Sequence, residues 1–301
     1  MAIITKRGRV PVFLRRSMNT PMFWQTSRFL LDLQHPLVMG IVNATPDSFS
    51  DGGQHFSVAA ALHHCEQLLQ EGADILDIGG ESTRPGSPRV PLQEELARVL
   101  PIVRGAVTLG VPVSVDTYKP EVMQAVLDAG ADIINDIWAL RQPGAAQVVA
   151  QHARCGVCLM HMHGNPQTMQ TMPMAGDALP QVLSFLELQA HVLIELEVKK
   201  TRIMIDPGIG FGKTVEQNFA LLARQRELLA LGYPLLAGWS RKSSLGVVTG
   251  LEVGERLLPS VVAAVLAAER GASVLRVHDV RATVQALAVW RKTVAADAAI
   301  N

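Results

Sequence analysis

The segment EGADILDIGG, residues 71–80, is the part of the chain that best indicates its fold. Its Gly-Ala-Asp lies between a stretch with helical spacing and a short apolar run, a place where Gly supplies a helix C-cap. The same order recurs in AGADIIND, residues 129–136, and in RGASVLRVH, residues 270–278. This weak repeat predicts helices that end on Gly and lead directly into short buried strands.

Short apolar runs alternate with amphipathic stretches from residue 37 onward, the pattern of parallel strands joined by crossover helices. Within residues 58–69, for example, apolar side chains recur at spacings of three and four, as on one helix face. No Pro/Ser-rich linker divides the chain, which favours one (β/α)8 (TIM) barrel over two doubly wound halves. The predicted strands are Leu37–Val42, Ile75–Gly79, Val111–Val115, Ile133–Asn135, Val157–His161, Ile203–Ile205, Leu235–Ala237 and Val274–Val277.

The predicted barrel, residues 36–293, has short segments at both ends. Residues 1–21 contain five basic and no acidic residues, and we expect an unstructured extension rather than a targeting segment, because a continuous apolar stretch with a small-residue cleavage site is missing. Within residues 22–35, Phe23 to Leu33 predict a small hairpin that covers the bottom of the barrel. Residues 294–301 are expected to form a C-terminal tail.

Composition excludes several classes of protein. Of the 301 residues, 49% are hydrophobic and only 18% are charged, so the chain can bury a large core. Twenty-seven basic and 27 acidic residues cancel, which argues against a nucleic-acid or anionic-membrane partner and favours a small polar substrate. The apolar runs are too short to span a membrane. Three cysteines are too few for a disulfide framework, so we expect a reducing, cytoplasmic location.

Polar residues end nearly every predicted strand. Each could simply cap the following helix. Parallel strands in a barrel nevertheless bring their carboxyl ends to one rim, where barrel enzymes hold their active sites. So many polar strand ends therefore favour a functional site, formed from Asn43, Asp77, Glu81, Asp116, Asn135, His161, Asp206, Ser240–Lys242, Arg276 and His278.

Two sets of rim residues suggest the chemistry of a ligand. Arg276 and His278 alternate on the last strand and suit a phosphate or diphosphate, although Arg276 could instead pair with an Asp of a neighbouring strand. Asp116, Asn135 and Asp206 offer donors and acceptors for the edge of a nitrogen-rich ring. Alternatively, these carboxylates could form a structural ion pair with Lys242.

Two further patterns resemble known motifs only in part. Cys155 and Cys158 have the C-x-x-C spacing of zinc and redox sites, but Cys158 falls in a predicted buried strand and no second Cys pair exists. Residues 207–214, PGIGFGKT, approach a phosphate-binding loop, but Pro207 occupies the first required Gly position. We therefore expect neither a metal at the cysteines nor a nucleotide at the glycines, which should instead let the backbone approach the ligand.

Residues 36 to 293 resemble the dihydropteroate synthases, which join p-aminobenzoate to a hydroxymethyl-dihydropterin diphosphate. Nine or more family motifs occur in order, which makes the resemblance specific. They include Asn43–Gly53, Gly79–Gly86, Ser114–Thr117, Ile134–Asp136, Cys158–Met162, Asp206–Gly208, Ser240–Ser243 and Arg276–Asp279.

The resemblance implies a role for each matching residue. Asn43 is expected to bind Mg2+ together with the diphosphate. The p-aminobenzoate pocket is expected at Phe49, Thr83, Arg84, Pro85, Lys242 and Ser243. The pterin diphosphate is expected at Thr83, Asp116, Asn135, Asp206, Phe211, Lys242, Arg276 and His278, of which Asp116, Asp206, Lys242, Arg276 and His278 are expected to be catalytic.

The resemblance also implies a homodimer through the last helices, and Phe49 and Pro85 match sulfonamide-sensitive members. Ala44 and Trp138–Leu140 depart from the family pattern. Ala44 is expected to change packing only, whereas Trp138–Leu140 lies in a rim loop beside the substrate. The alternatives are another pterin-binding barrel, such as a methyltetrahydrofolate:corrinoid methyltransferase, and a non-catalytic paralogue.

Overall fold

The computed structural model describes residues 23–44, 54–82, 87–165, 169 and 172–300. Its strands are β1 Phe23–Gln25, β2 Leu30–Asp32, β3 Leu37–Asn43, β4 Ile75–Gly79, β5 Val113–Asp116, β6 Ile133–Asp136, β7 Gly156–Met160, β8 Ile203–Asp206, β9 Leu236–Ala237 and β10 Val274–Val277. Its α-helices are α1 Gln54–Gln70, α2 Leu92–Val107, α3 Pro120–Asp128, α4 Ala145–Gln151, α5 Ala178–Glu195, α6 Val215–Ala223, α7 Ser243–Thr249, α8 Leu257–Glu269 and α9 Val280–Ile300.

Strands β3 to β10 form one parallel sheet in the order β8-β7-β6-β5-β4-β3-β10-β9. A parallel bridge between Ile205 and Leu235 brings the two edges together, so the predicted (β/α)8 barrel is confirmed. The predicted third strand begins at Val113 rather than at Val111. α7 is an additional short helix between β9 and α8, and α9 includes most of the predicted tail 294–301 because it continues to Ile300.

The central strands are buried because both of their faces are covered. All residues of β4, β5, β6, β7 and β8 are buried, as the continuous apolar runs predicted. Their outward side chains pack against the helices, and their inward side chains fill the barrel. In the described part of the chain, no helix is long and apolar enough to cross a membrane.

The predicted hairpin is present and covers the amino-terminal end of the barrel. β1 and β2 pair antiparallel, and Trp24 packs with Leu33 against the inward side chains at the starts of the barrel strands. The Trp24 indole N–H donates to the carbonyl of Arg202 over 2.9 Å. Arg28 pairs with the buried Asp132 at 2.6 Å. The hairpin therefore closes the end of the barrel opposite the strand carboxyl ends.

The aromatic pair in β1 allows a matched test of this contact. Trp24 is 0% exposed, whereas its neighbour Phe23 is 43% exposed. We expect Trp24→Ala to lower the free energy of unfolding by about 3–5 kcal/mol, the usual loss for a large buried aromatic. Phe23→Ala should change it by less than about 1 kcal/mol. Urea unfolding of both variants checks this, and equal losses would show that the hairpin does not depend on Trp24.

Candidate active site

A cavity of about 430 Å³ opens where the barrel strands end. It collects predicted residues from seven strands and the loops that follow them. Phe49, Thr83, Arg84 and Pro85 lie outside the described residues. The predicted residues that line the cavity are Asn43, Glu81, Asp116, Asn135, Asp206, Phe211, Ser240, Arg241, Lys242, Ser243, Arg276 and His278.

Arg276 lies between two carboxylates at the floor of this cavity. Its Nε donates to Asp77 Oδ2 over 2.6 Å, and its Nη2 donates to Asp116 Oδ2 over 2.8 Å. Asp77 is 0% exposed and also accepts a longer hydrogen bond, 3.3 Å, from Asn135 Nδ2. Arg276 thus makes the ion pairs that the sequence offered as an alternative, while it also lines the cavity. Asp77, which the sequence placed at the rim without a specific ligand, is the buried anchor of this network.

Burial shifts the ionisation of the groups that face the cavity. It raises the pKa of Asp116 to about 7, against the opposing effect of Arg276, and it also raises the pKa of Asp206. Burial lowers the pKa of Lys242 to about 8, and the Asp206 carboxylate offsets only part of that change. Several groups here can therefore change charge near neutral pH, as is common in active sites.

Lys242 and Phe211 lie together at one side of the cavity. The Lys242 ammonium is 4.2 Å from the centre of the Phe211 ring, which is a cation–π contact. Across from them, Asp206 Oδ1 accepts the backbone N–H of Gly208 over 2.7 Å. The carboxylate is therefore oriented by the loop that follows its own strand.

Two glycines of residues 207–214, Gly208 and Gly212, allow a close approach of two backbones. Gly208 has φ +68°, and a Cβ on it would lie 1.8 Å from the carbonyl oxygen of His161. Lys213 is buried, and its Nζ donates to the carbonyls of Gly208 over 2.8 Å and Phe211 over 3.1 Å. At Gly208 the absence of a side chain is thus required by the approach to His161, and the approach of the backbone to a ligand stays a prediction. Lys213 is engaged inside the loop, unlike the lysine of a phosphate-binding loop.

His161 does not belong to the cavity, contrary to its place among the predicted rim residues. Its ring packs edge-on against Phe185 of α5 at 5.0 Å, and burial lowers its pKa to about 2. Met160 lines the cavity instead. Adjacent side chains of a strand face opposite sides, so only one of these two can point inward.

The C-x-x-C cysteines also lie on opposite sides of the barrel wall. Cys158 packs in the interior with Met204, in the core layer that Trp24 covers. Cys155 belongs to the outer core, where its Sγ lies 3.2 Å from Arg202 Nη2. Burial raises the pKa of both thiols, which keeps them protonated and poorly reactive.

The rim turn that departs from the family pattern is held by a buried carboxylate. Ala139 and Leu140 have φ of 51° and 60°, a left-handed conformation that is costly for residues other than Gly. Asp136 stabilises the turn by accepting the backbone N–H groups of Trp138 and Leu140, each over 2.7 Å. Trp138 packs against Tyr118 beside the cavity.

Asp136 predicts a pH dependence of stability. Burial raises its pKa to about 7, above the roughly 3.9 of an unfolded Asp. The folded state therefore binds more protons than the unfolded state between these values, so this contribution to stability is present below about pH 4 and is lost as the pH rises to about 7. We expect urea titrations to show that the free energy of unfolding falls less over this pH range in Asp136→Asn than in wild type. Asp128→Asn, on the exposed side of α3, is the control, and equal slopes for all three proteins would contradict the assignment.

Asn43 is the described residue that best suits a metal ion at the cavity. The described ranges contain no cluster of three or more His, Cys, Asp or Glu that could hold a metal. Asn43 lines the cavity and offers one amide oxygen, a ligand type that Mg2+ accepts. Because Mg2+ usually keeps waters and substrate phosphates among its six ligands, one such oxygen fits an ion that arrives with a diphosphate.

Several residues of the cavity wall were not singled out from the sequence. Ile137, Met160 and Met169 form an apolar side, and Arg256 adds a cation to the wall. Strand alternation could have identified Met160, two residues after the inward Cys158. The others come from loops, where no periodic signal exists.

Comparisons with known proteins agree with this geometry. Residues 39–278 match the family model described as pterin binding enzyme. The dihydropteroate synthase of Neisseria meningitidis serogroup B is 49% identical over 273 residues, which cover 89% of this chain and 96% of that protein.

Two solved structures are also similar over most of their length. The Xanthomonas albilineans dihydropteroate synthase with 4-aminobenzoic acid is 52% identical, covers 88% of this chain and 95% of its own, and has a TM-score of 0.83. The Burkholderia cenocepacia enzyme complexed with 7,8-dihydropteroate is 50% identical, and the match covers 92% of this chain and 98% of that enzyme. Its TM-score is also 0.83. The chain belongs to the pterin-binding enzyme family and, within it, to the dihydropteroate synthases.

Proposed function

We propose that this cavity condenses p-aminobenzoate with (7,8-dihydropterin-6-yl)methyl diphosphate, releasing diphosphate and forming 7,8-dihydropteroate. The observation that carries the assignment is the meeting of Asp116, Asn135 and Asp206, from three different strands, in one cavity with Lys242. Together they offer the alternating donors and acceptors that a pterin edge requires. The apolar side formed by Ile137, Met160 and Met169, together with the Phe211 ring, suits the faces of a flat ring.

The diphosphate end of the substrate is assigned to Arg276 and His278, with Thr83. Arg276 lies on β10 and His278 directly follows that strand, and both line the cavity. Asn43 would hold Mg2+ together with the diphosphate oxygens, and the ion would neutralise charge on the leaving group. Burial by itself lowers the pKa of Arg276, but the carboxylates of Asp77 and Asp116 outweigh burial and raise that pKa, so Arg276 stays charged.

The p-aminobenzoate carboxylate is assigned to the mouth of the cavity. Lys242 and Ser243 supply donors there, and Ser243 is exposed at the start of α7. Phe49, Thr83, Arg84 and Pro85 are proposed to complete this pocket. A cation and a hydroxyl suit a carboxylate that must remain near solvent while its amine points inward.

The reaction needs no covalent intermediate with the protein. The bond between the methylene carbon and the diphosphate oxygen breaks, and its electron pair leaves with the diphosphate. The positive charge spreads into the electron-rich pterin, where the Asp116 and Asp206 carboxylates stabilise it. The aryl amine then adds to the methylene carbon and loses a proton. Positioning and electrostatic stabilisation thus supply most of the rate.

A coupled assay tests this assignment. Release of diphosphate should depend on p-aminobenzoate, on the pterin diphosphate and on Mg2+. The two alternatives predict different results: a methyltransferase-like barrel would bind the pterin without needing the diphosphate, and a non-catalytic paralogue would release none. Binding titrations with the pterin diphosphate, with and without Mg2+, separate these cases.

Sulfonamides should inhibit the reaction as competitors of p-aminobenzoate. They are analogues of that substrate, and Phe49 and Pro85 match sulfonamide-sensitive members of the family. We expect the apparent KM for p-aminobenzoate to rise linearly with inhibitor concentration while kcat stays unchanged. Full activity with sulfonamide far above the p-aminobenzoate concentration would contradict this prediction.

We also propose that the chain forms a homodimer through its last helices and acts in the cytoplasm. Apolar side chains are exposed on α7 and α8, among them Val247, Val248, Leu257, Leu258 and Val262. Such a patch on neighbouring helices favours a subunit contact. Light scattering tests this contact: wild type should have the mass of a dimer, and Leu258→Glu that of a monomer.

The cytoplasmic location is supported by the three cysteines, which are free and buried, as suits a reducing compartment.

A further inference from the structure

We propose that Ser240 is a positioning residue that fixes the His278 imidazole as the neutral tautomer with its proton on Nε2. The ring would then meet the departing diphosphate as a hydrogen-bond donor, a consequence that rests on the proposed function. The tautomer itself follows from local geometry and can be measured without the reaction.

Ser240 contacts His278 twice. Its Oγ accepts the backbone N–H of His278 over 3.1 Å and lies 2.9 Å from His278 Nδ1. Ser240 is 7% exposed, so a hydroxyl hydrogen without an acceptor would be costly there. A serine hydroxyl has one hydrogen and two lone pairs.

These contacts are best satisfied when the hydroxyl donates to the ring. If Nδ1 carried a proton, the ring N–H and the backbone N–H of one residue would both point at the Ser240 oxygen, and the hydroxyl hydrogen would lose its acceptor. If Nδ1 instead accepts, the Ser240 hydroxyl donates its hydrogen to Nδ1 and its oxygen accepts the backbone N–H of His278, so each donor has one acceptor. The proton then resides on Nε2, because the hydrogen bond at one ring nitrogen sets the tautomer at the other.

The barrel places this pair where a donor is needed. Ser240 follows β9 and His278 follows β10, and these strands are neighbours in the sheet. Arg276 of β10 already donates through Nε and Nη2 to Asp77 and Asp116. His278, directly after β10, therefore supplies a donor that is not bound to Asp77 or Asp116.

The tautomer can be read directly by nuclear magnetic resonance. Full-length protein with ¹⁵N-labelled histidine should show a pyridine-like Nδ1 and a pyrrole-like Nε2 for His278, identified by the loss of its signals in His278→Gln. Ser240→Ala should produce a mixture of tautomers, and Ser240→Thr should restore the single one. We expect Ser240→Ala also to raise the Kd of inorganic pyrophosphate with Mg2+ about tenfold, or about 1.4 kcal/mol.

Ser260→Ala is the matched control. Ser260 is a second buried serine whose Oγ accepts a backbone N–H, that of Arg241, over 2.8 Å, and it donates to a carbonyl rather than to a histidine. Its removal should leave the His278 signals unchanged. If Ser260→Ala mixed the tautomers as Ser240→Ala does, a general loosening of the loop would explain the effect and the proposal would fail.

Other outcomes are equally decisive. A proton on Nδ1 in the wild-type protein, or an unchanged tautomer in Ser240→Ala, would overturn the proposal. In the condensation assay, Ser240→Ala should lower kcat and leave the KM for p-aminobenzoate within about twofold. A wild-type protein with the expected tautomer but no diphosphate release would contradict the proposed function while supporting the Ser240–His278 assignment.

Discussion

Asp206→Asn is expected to lower kcat/KM for the pterin diphosphate by about ten- to a hundredfold, because it removes a buried charge from the pterin site, where a charged hydrogen bond contributes about 1.5–3 kcal/mol. The amide keeps one oxygen, so it can still accept the Gly208 N–H, and the fold should persist. The change also takes away the carboxylate that supports the Lys242 charge. Steady-state kinetics with circular dichroism as a folding check measures the effect.

Asp132→Asn provides the matched control for Asp206→Asn. Asp132 is also a buried carboxylate, but it lies at the opposite end of the barrel and pairs with Arg28. We expect this variant to lose stability and to keep its kinetic constants. If the two variants showed the same loss of kcat/KM, Asp206 would have no special role in the cavity.

Arg276→Ala is expected to lower activity at least tenfold and also to destabilise the barrel. Breaking a buried ion pair by removing one partner costs about 3–5 kcal/mol, because the other charge stays buried. Here Asp77 and Asp116 would be left without their shared cation. Without Arg276, which lowers the pKa of Asp116, that pKa should rise above about 7, so the loss of stability with rising pH should extend to higher pH in this variant than in wild type.

A second substitution separates the two effects of Arg276→Ala. Adding Asp77→Asn removes one of the unpaired carboxylates, so unfolding by urea should show recovered stability. Activity should stay low because the cavity still lacks its guanidinium. Recovery of activity together with stability would show that Arg276 acts only as a structural partner. In the same way, wild-type turnover in a folded Arg276→Ala/Asp206→Asn double variant would refute the proposed roles of both residues.

The sequence alone determined the fold and much of the candidate site. Local signals were sufficient because helix and strand periodicity and the glycines after helices depend on neighbouring residues only. Parallel strands then bring their carboxyl ends to one rim, so Asp116, Asn135 and Asp206 could be grouped without coordinates. The covering hairpin was also predicted, at Phe23 to Leu33.

Only the tertiary structure decided which side chains at the rim touch one another. Strand register across β10, β3, β4 and β5 gives Arg276 its contacts with Asp77 and Asp116, and register is set by the packing of the whole barrel rather than by local sequence. The outward orientation of the His161 side chain and the pairing of Ser240 with His278 follow from the same three-dimensional arrangement. Contacts between residues distant in sequence depend on the closed sheet as a unit, because no short segment contains both partners.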